Sequence, residues 1–258
     1  MFVTLAAALI WTVSSRFAAP NNNPDMSVPV EIDRHGGVFV DVGVNDSGPY
    51  RFIVDTGSSR SIVSETLARE LRASVVAKSE MVTSAGSEWA VVVRLDSVSL
   101  ATARQLNILA LVLPDTRVSQ FGPGVRGLLA QDFLSRFTYT LDYGHARMHS
   151  AAPVSCDAPE AVRLVSAEGR FVLPGVETDG EMLRLVPDSG AEAPVLFRRR
   201  ISGKTSTRVI SVRVGPVRLK DLVARIVERI DPNADGLLPL HYFNEVTFAT
   251  GGACVVVR

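Results

Sequence analysis

Short apolar runs, separated by clusters of glycine, proline, asparagine, aspartate and serine, dominate the hydrophobic pattern of this chain. Runs of this kind, rich in valine, isoleucine and leucine, are typical of β-strands bounded by turns. Residues 38–44 and 50–54 predict a hairpin, and longer runs at 90–100 and 106–113 predict buried strands. Ser64 precedes a short helical pattern and is a favourable N-cap. The pattern therefore predicts a mostly β fold with short helices.

The second half of the chain repeats the order of signals of the first half. In each half an apolar run leads into an acidic turn, and further strand-like runs precede a Gly-Leu-Leu segment, a short helix and a last strand. An internal repeat of this kind indicates two related units. We therefore expect an N-terminal lobe at residues 28–150, a polar linker at 151–160 and a C-terminal lobe at 161–258, preceded by a signal or anchor plus linker at 1–27.

The turn at Asp55 places a carboxylate where a buried strand ends. The residues after it are small and offer hydroxyl or backbone donors: Thr56, Gly57, Ser58 and Ser59. A carboxylate that leaves a hydrophobic strand loses solvation unless its neighbours donate hydrogen bonds to it, so this turn is suited to holding a charge. Taken alone, the same residues are also typical of a local turn that caps a strand.

A second acidic turn, Asp188-Ser189-Gly190, lies at the matching place in the second half. Each turn has a partner of the form Gly-Leu-Leu, at residues 127–129 for the first and 236–238 for the second. Two matches in the same order carry much more weight than one Asp-Thr-Gly triplet.

These paired motifs resemble those of the aspartic peptidases of the pepsin and retroviral-protease superfamily, in a bacterial-type form with both lobes in one chain. The resemblance covers roughly residues 28–258 and is closer in the first lobe. It implies a bilobal pepsin-like fold of two related β-barrel-like lobes. It also implies that Asp55 and Asp188 are catalytic, without a cofactor. The supporting turn residues would be Thr56, Gly57, Ser58, Ser189 and Gly190, of which the threonine and the Ser189 hydroxyl join the two turns.

Two acids are needed because an amide is a poor electrophile and water is a poor nucleophile. One carboxylate must take a proton from water while a protonated partner polarises the carbonyl. Two carboxyls in one site cannot both ionise, so they share a proton, as is established for aspartic proteases. The resemblance therefore implies an endopeptidase that acts on peptides or unfolded proteins.

The spacing of the landmarks differs between the two halves. From Asp55 to Gly127 is 127 − 55 = 72 residues, whereas from Asp188 to Gly236 is 236 − 188 = 48 residues, a difference of 24. A hairpin flap over the substrate fits only the longer interval, so we expect a single flap, as in pepsin. Its tip would be at Ala85, Gly86 and Ser87, and the nearby Trp89 would line the cleft or lie in the core.

Departures from the family pattern lie mainly in the second turn. Pro187 precedes Asp188, although proline is rare in central strands. Ala191 has no hydroxyl at the place of Ser58, and Ala130 stands where relatives often have glycine. Two alternatives therefore stay open: a catalytically silent peptide-binding module, and an enzyme that pairs Asp55 with Asp55 of a second chain.

The amino-acid composition limits the kinds of partner that this protein can bind. The 258 residues include 27 basic and 27 acidic side chains, which gives no general attraction to nucleic acid. The four histidines are scattered without metal-ligand spacing, so we expect no metal. We expect a monomer.

Two features of the sequence, its apolar N-terminus and its two cysteines, indicate the cellular compartment. Residues 1–13 are apolar apart from two threonines, which suits a signal-peptide core although no basic residue precedes them. We therefore expect export to the periplasm or the extracellular space, with membrane anchoring or transient membrane contact through the N-terminus as a variant. Cys156 and Cys254 would form a disulfide there or remain two buried thiols.

Overall fold

A computed structural model of the chain describes residues 26–83, 86–198 and 207–258. In chain order the strands are β1 (Ser27–Pro29), β2 (Glu31–Ile32), β3 (Val38–Val44), β4 (Ser47–Val54), β5 (Ile62–Ser64), β6 (Ser74–Thr83), β7 (Gly86–Leu100), β8 (Ala103–Leu113), β9 (Gly127–Leu129), β10 (Tyr139–Asp142), β11 (Arg147–Ser150), β12 (Ala161–Arg163), β13 (Val165–Ala167), β14 (Arg170–Thr178), β15 (Glu181–Asp188), β16 (Val195–Arg198), β17 (Thr207–Val214), β18 (Val217–Glu228), β19 (Gly236–Pro239), β20 (Glu245–Phe248) and β21 (Cys254–Val257). The helices are α1 (Glu65–Glu70), α2 (Asp115–Val118) and α3 (Gln131–Leu134), and short 3-10 turns lie at Ser119–Phe121, Leu240–Tyr242 and Thr250–Gly252.

The two lobes have the same sheet topology. The order in the first lobe is β2-β3-β4-β9-β5-β8-β7-β6, and the order in the second is β13-β14-β15-β19-β16-β18-β17. The orders coincide strand for strand, except that β6 has no counterpart among the described residues. The extra pairings β3–β7 and β14–β17 fold each sheet back on itself at equivalent places. The predicted mostly β, bilobal fold with barrel-like lobes is confirmed.

A third sheet joins the lobes and was not anticipated from the sequence. Its order is β1-β11-β10-β20-β21-β12, so it takes strands from both halves of the chain. The halves meet where β10 pairs with β20, and there the ring of Tyr139 stacks on Phe248 at 5.2 Å. Apolar residues of this sheet belong to one buried core that continues into both lobes. This sheet therefore sets how the two lobes face each other.

Local signals predicted where the strands of the first lobe end, but three of them begin three or four residues earlier than predicted, at Ser47, Gly86 and Ala103. Asn45 and Asp46 have φ of 49° and 59°, which makes a two-residue turn of the kind that matches strand twist. Strand β4 therefore begins at Ser47, and the turn predicted over residues 45–49 was too long. The predicted cap of α1 is present, since the Ser64 hydroxyl accepts from the Leu67 N–H at 3.1 Å.

The two cysteines form a disulfide, which settles the alternative that the sequence left open. Cys156, in the segment between the lobes, is bonded to Cys254 at the start of β21.

Among the described ranges, no helix is both long and apolar enough to cross a membrane.

Replacing both cysteines with serine is expected to lower the free energy of unfolding by about 2–5 kcal/mol. The reason is that the bond closes a loop between residues 98 positions apart in the sequence. The double variant leaves no unpaired thiol that could react. Urea unfolding of variant and parent without reductant measures the difference, and equal stabilities would contradict a stabilising role for the bond.

Candidate active site

Strand β4 delivers Asp55 into a turn that holds its carboxylate with three donors. Asp55 Oδ1 accepts from the N–H groups of Gly57 at 2.9 Å and Ser58 at 3.0 Å. Asp55 Oδ2 accepts from the Ser58 hydroxyl at 2.7 Å. Hydrogen bonds to the ionised form favour it, so this turn supports a carboxylate.

The second turn holds Asp188 with fewer donors. Strand β15 ends at Asp188, and Asp188 Oδ1 accepts from the Gly190 N–H at 2.8 Å. Ala191 stands where the first turn has Ser58, so no side-chain hydroxyl reaches this carboxyl from the matching position. The two acids are therefore unequally supported, as their sequences indicated.

Four hydrogen bonds made by the hydroxyls of Thr56 and Ser189 join the two turns across the lobes. The Thr56 hydroxyl accepts from the Ser189 N–H at 3.0 Å and donates to the Pro187 carbonyl at 2.8 Å. The Ser189 hydroxyl accepts from the Thr56 N–H at 3.1 Å and donates to the Val54 carbonyl at 2.7 Å. Both hydroxyl side chains are buried, so each turn is fixed by the other.

The glycine of each turn packs against the carboxyl of the other lobe. A Cβ on Gly57 would lie 2.5 Å from Cγ of Asp188, and a Cβ on Gly190 would lie 3.2 Å from Cγ of Asp55. Neither glycine has positive φ, so close approach is the reason for glycine at both positions. This crossed packing brings Asp55 and Asp188 into one site.

Burial raises the pKa of both carboxyls, but unequally. For Asp55 the desolvation is opposed by the Ser58 hydroxyl and by the amides of the turn, which lower the pKa. For Asp188 the desolvation is reinforced by the charge of Asp55, and together they hold the pKa well above the ordinary 3.8. The pair therefore favours a carboxylate at Asp55 and a protonated acid at Asp188.

The two Gly-Leu-Leu segments lie directly behind the turns as parallel neighbours of β4 and β15. A Cβ on Gly127 would lie 2.4 Å from the Ile62 carbonyl oxygen, and one on Gly236 would lie 2.1 Å from that of Val195. Each glycine thus lets three backbones meet three residues before the acid, beside Phe52 in β4 and Leu185 in β15.

Pro187 fits into β15 without breaking a ladder. In the first lobe the Asp55 N–H donates to the Leu129 carbonyl of the parallel neighbour, so the N–H one residue earlier points to the other side. In the second lobe the pairing on that other side, with β14, ends at Leu185. The nitrogen of Pro187 therefore faces a position where no strand needs a donor, and its carbonyl accepts from Thr56.

The hairpin predicted as the flap is present as β6 and β7, and Ala85 at its tip lies outside the described residues. Gly86 and Ser87 begin β7. Met81 packs into an apolar cluster with Ile53, which lies on the same side of β4 as Asp55. Trp89 pairs with Glu80 on the face opposite to Met81 and is 73% exposed, so the expectation of a core tryptophan was wrong.

Gln131 and Asp132 were missed as site residues, although they lie in the segment that follows Gly127–Leu129. The Gln131 side chain donates to the Thr56 carbonyl at 3.0 Å. Asp132 accepts from the Ser61 hydroxyl at 2.6 Å and from its N–H at 2.9 Å. The available signal was two polar residues at the start of a short helix in an otherwise apolar stretch.

Comparisons with known proteins show the following similarities. The family model described as aspartyl protease matches residues 40–133, which include the Asp55 turn and β9. The crystal structure of an aspartic proteinase from Irpex lacteus is similar over 91% of this chain and 97% of that chain, with 11% identity and a TM-score of 0.57. A retropepsin-like aspartic protease from Rickettsia conorii has 22% identity over 47% of this chain and 87% of that chain, with a TM-score of 0.36. No curated protein matches.

The fold is that of the pepsin-like aspartic proteases. Within that fold, residues 40–133, which carry the Asp55 turn, match the aspartyl protease family.

Proposed function

We propose that this protein is an aspartic endopeptidase that hydrolyses peptide bonds between its lobes through Asp55 and Asp188. One observation carries the proposal: the two carboxyls meet in a single site, each against the glycine of the opposite turn, with unequal donors. Unequal environments of two neighbouring carboxyls are how one becomes the base and the other the acid.

In the proposed reaction the Asp55 carboxylate takes a proton from a water molecule while the oxygen of that water attacks the substrate carbonyl carbon. Protonated Asp188 donates its proton to the carbonyl oxygen, so a neutral tetrahedral gem-diol forms. The C–N bond then breaks as the proton now on Asp55 passes to the amine. One hydroxyl of the gem-diol returns its proton to Asp188, which restores the starting pair and leaves a carboxylic acid product.

The substrate is proposed to be a peptide or an unfolded protein segment that lies extended between the lobes under the β6–β7 hairpin. The apolar cluster beside Asp55, which includes Ile53, Met81 and the partly buried Phe121, would accept an apolar side chain. No cofactor is part of the proposal. Action as a monomer follows because both acids come from one chain.

Export to the periplasm or the extracellular space is proposed as the setting. The Cys156–Cys254 disulfide and the apolar residues 1–13 support this proposal, because such bonds persist in oxidising compartments.

A catalytically silent peptide-binding module is the second candidate, favoured by the missing hydroxyl at Ala191. The fit of Pro187 into β15 argues against it, because the proline does not displace Asp188 from the pair. The homodimer with Asp55 from each chain is disfavoured for the same reason, since Asp188 already occupies the place of the second acid.

Hydrolysis of a peptide library from acidic to neutral pH tests the proposal, with Asp55→Asn as the control. The parent is expected to cleave internal peptide bonds, and the variant is expected to lose the activity by at least about 1,000-fold. A parent that binds peptides without cleaving them would support the silent module. Cleavage that persists in the variant would show that a contaminant or another site is responsible.

A further inference from the structure

Among the described residues, Gln131 is the one that donates hydrogen bonds to carbonyls of the Asp55 turn from both its backbone and its side chain. Its N–H donates to the Ser58 carbonyl at 3.1 Å, and its Nε2 donates to the Thr56 carbonyl at 3.0 Å. These two carbonyls flank Gly57, whose N–H donates to Asp55. Gln131 thus restrains the carbonyl groups of the turn, whereas the N–H groups of the turn hold the Asp55 carboxylate.

No equivalent restraint of the second turn is seen among the described residues. Gln131 lies 131 − 127 = 4 residues after Gly127, and its counterpart four residues after Gly236 is Leu240 (236 + 4 = 240). Both side chains are buried, at 2% and 1% exposure, but leucine cannot donate a hydrogen bond. The asymmetry matches the roles of the acids, because the restrained turn carries the carboxylate that must stay ionised and aligned with its partner.

The choice of glutamine is costly for the core, which argues that it serves the site. Gln131 Oε1 is buried without a hydrogen-bond partner, and so are the hydroxyls of Tyr139 and Tyr143. A buried acceptor without a partner destabilises the folded state. A leucine at this position would remove the Gln131 oxygen, and it would also remove the side-chain donor to the Thr56 carbonyl. Burial raises the pKa of the Tyr139 hydroxyl, and the nearby Gln131 amide opposes this rise, although no hydrogen bond of good geometry joins the two side chains.

We propose that Gln131 is a positioning residue for hydrolysis: through the Thr56 carbonyl it holds the Asp55 turn in register with Asp188. The proposal rests on the proposed function for its effect on the reaction. Its structural part, the restraint of the turn, holds without it.

Gln131→Leu introduces the residue found at the equivalent position of the second lobe. It is expected to lower kcat by about 10-fold to 100-fold and to leave KM within about twofold of the parent value. The reason is that a misplaced catalytic group slows the chemical step without weakening substrate binding. The melting temperature should stay within about 4 °C of the parent, because the loss of one hydrogen bond is offset by removal of the unpartnered oxygen. A kcat equal to that of the parent would overturn the proposal for the reaction.

Gln131→Glu supplies a readout that a purely structural role would not move. A protonated glutamic acid can donate to the Thr56 carbonyl, whereas an ionised one repels it. We expect kcat to be near that of the parent at low pH and to fall by about 10-fold or more as the new carboxyl ionises. This fall would add an alkaline limb to the pH profile. The matched control is Tyr139→Phe, which alters the other side of the amide and should change kcat by no more than about twofold.

Amide hydrogen exchange, read by mass spectrometry on peptides, decides the structural part without any activity. Gln131→Leu should speed exchange in residues 55–60 by about 10-fold or more, and to a smaller extent in residues 188–193, where the Ser189 N–H donates to Thr56. Unchanged exchange in both turns would overturn the restraint. If the parent hydrolyses no peptide, the proposed function fails while this exchange result still decides the role of Gln131.

Discussion

Asp188→Asn is expected to reduce peptide hydrolysis by at least about 1,000-fold, since the variant lacks the acid that protonates the substrate carbonyl. Asparagine keeps the size of the side chain and the acceptor for the Gly190 N–H, which donates to Asp188 at 2.8 Å. The turn should therefore keep its shape, and the loss can be assigned to the missing proton. Initial rates on one cleaved peptide, for parent and variant at the same pH, measure it.

The same variant is expected to be more stable than the parent at neutral pH. Burial and the charge of Asp55 raise the pKa of Asp188 in the folded protein, so the folded state holds this proton more tightly than the unfolded chain does. The parent therefore loses stability as the pH rises from about 3.8 through the raised pKa, and the variant lacks this loss. We expect its melting temperature to exceed that of the parent by about 2–4 °C for each kcal/mol relieved at neutral pH, and to converge with it in acid.

Asp96→Asn is the matched control for both measurements. Asp96 is an exposed carboxylate on β7, so its replacement should leave activity and stability unchanged. An Asp188→Asn protein that keeps the activity of the parent would contradict the account and favour a site that uses Asp55 alone. An unchanged melting temperature at neutral pH would contradict the close approach of the two carboxyls.

Gly57→Ala is expected to reduce activity by at least about 100-fold, because it pushes Asp188 out of alignment. The new Cβ would lie 2.5 Å from Cγ and 2.6 Å from Oδ2 of Asp188, and a side chain this short and buried cannot move aside without losing its contacts. Overpacking of this kind also destabilises a protein by about 1–3 kcal/mol. Activity and urea unfolding together measure both effects.

Gly190→Ala is the matched variant of the other turn and should be milder. Its Cβ would lie 3.2 Å from Cγ of Asp55 and 3.3 Å from Oδ1 of Asp188, contacts that a shift of a few tenths of an ångström relieves. We expect Gly57→Ala to lose at least about tenfold more activity than Gly190→Ala, since only the first forces a carboxyl to move. Equal losses in the two variants would contradict the crossed packing.

Much of the site is predictable from sequence because its parts are local. Asp55 and Asp188 each follow an apolar run and precede a glycine, and each has a Gly-Leu-Leu segment at a characteristic distance. The repeat of this order in both halves makes the two-lobe topology predictable as well, and Thr56 and Ser189 follow from the same motif.

The remainder depends on contacts between distant segments. The sheet that joins the lobes pairs β10 with β20, about a hundred residues apart, and no local signal announces that pairing. Pro187 looks unsuitable for a strand until the end of the β14 pairing at Leu185 is known. Trp89 looks like a core residue until the register of β6 and β7 places it on the outer face of the hairpin.

The most direct test of the central claim, that Asp55 and Asp188 share one proton to activate water, is the pH dependence of kcat for a single cleaved peptide. We expect a bell-shaped profile, with an acidic limb where the Asp55 carboxylate is protonated. An alkaline limb, above the ordinary carboxyl pKa of 3.8, should appear where the shared proton is lost. A rate that rises through neutral pH without an alkaline limb, or the same bell in Asp188→Asn, would contradict it.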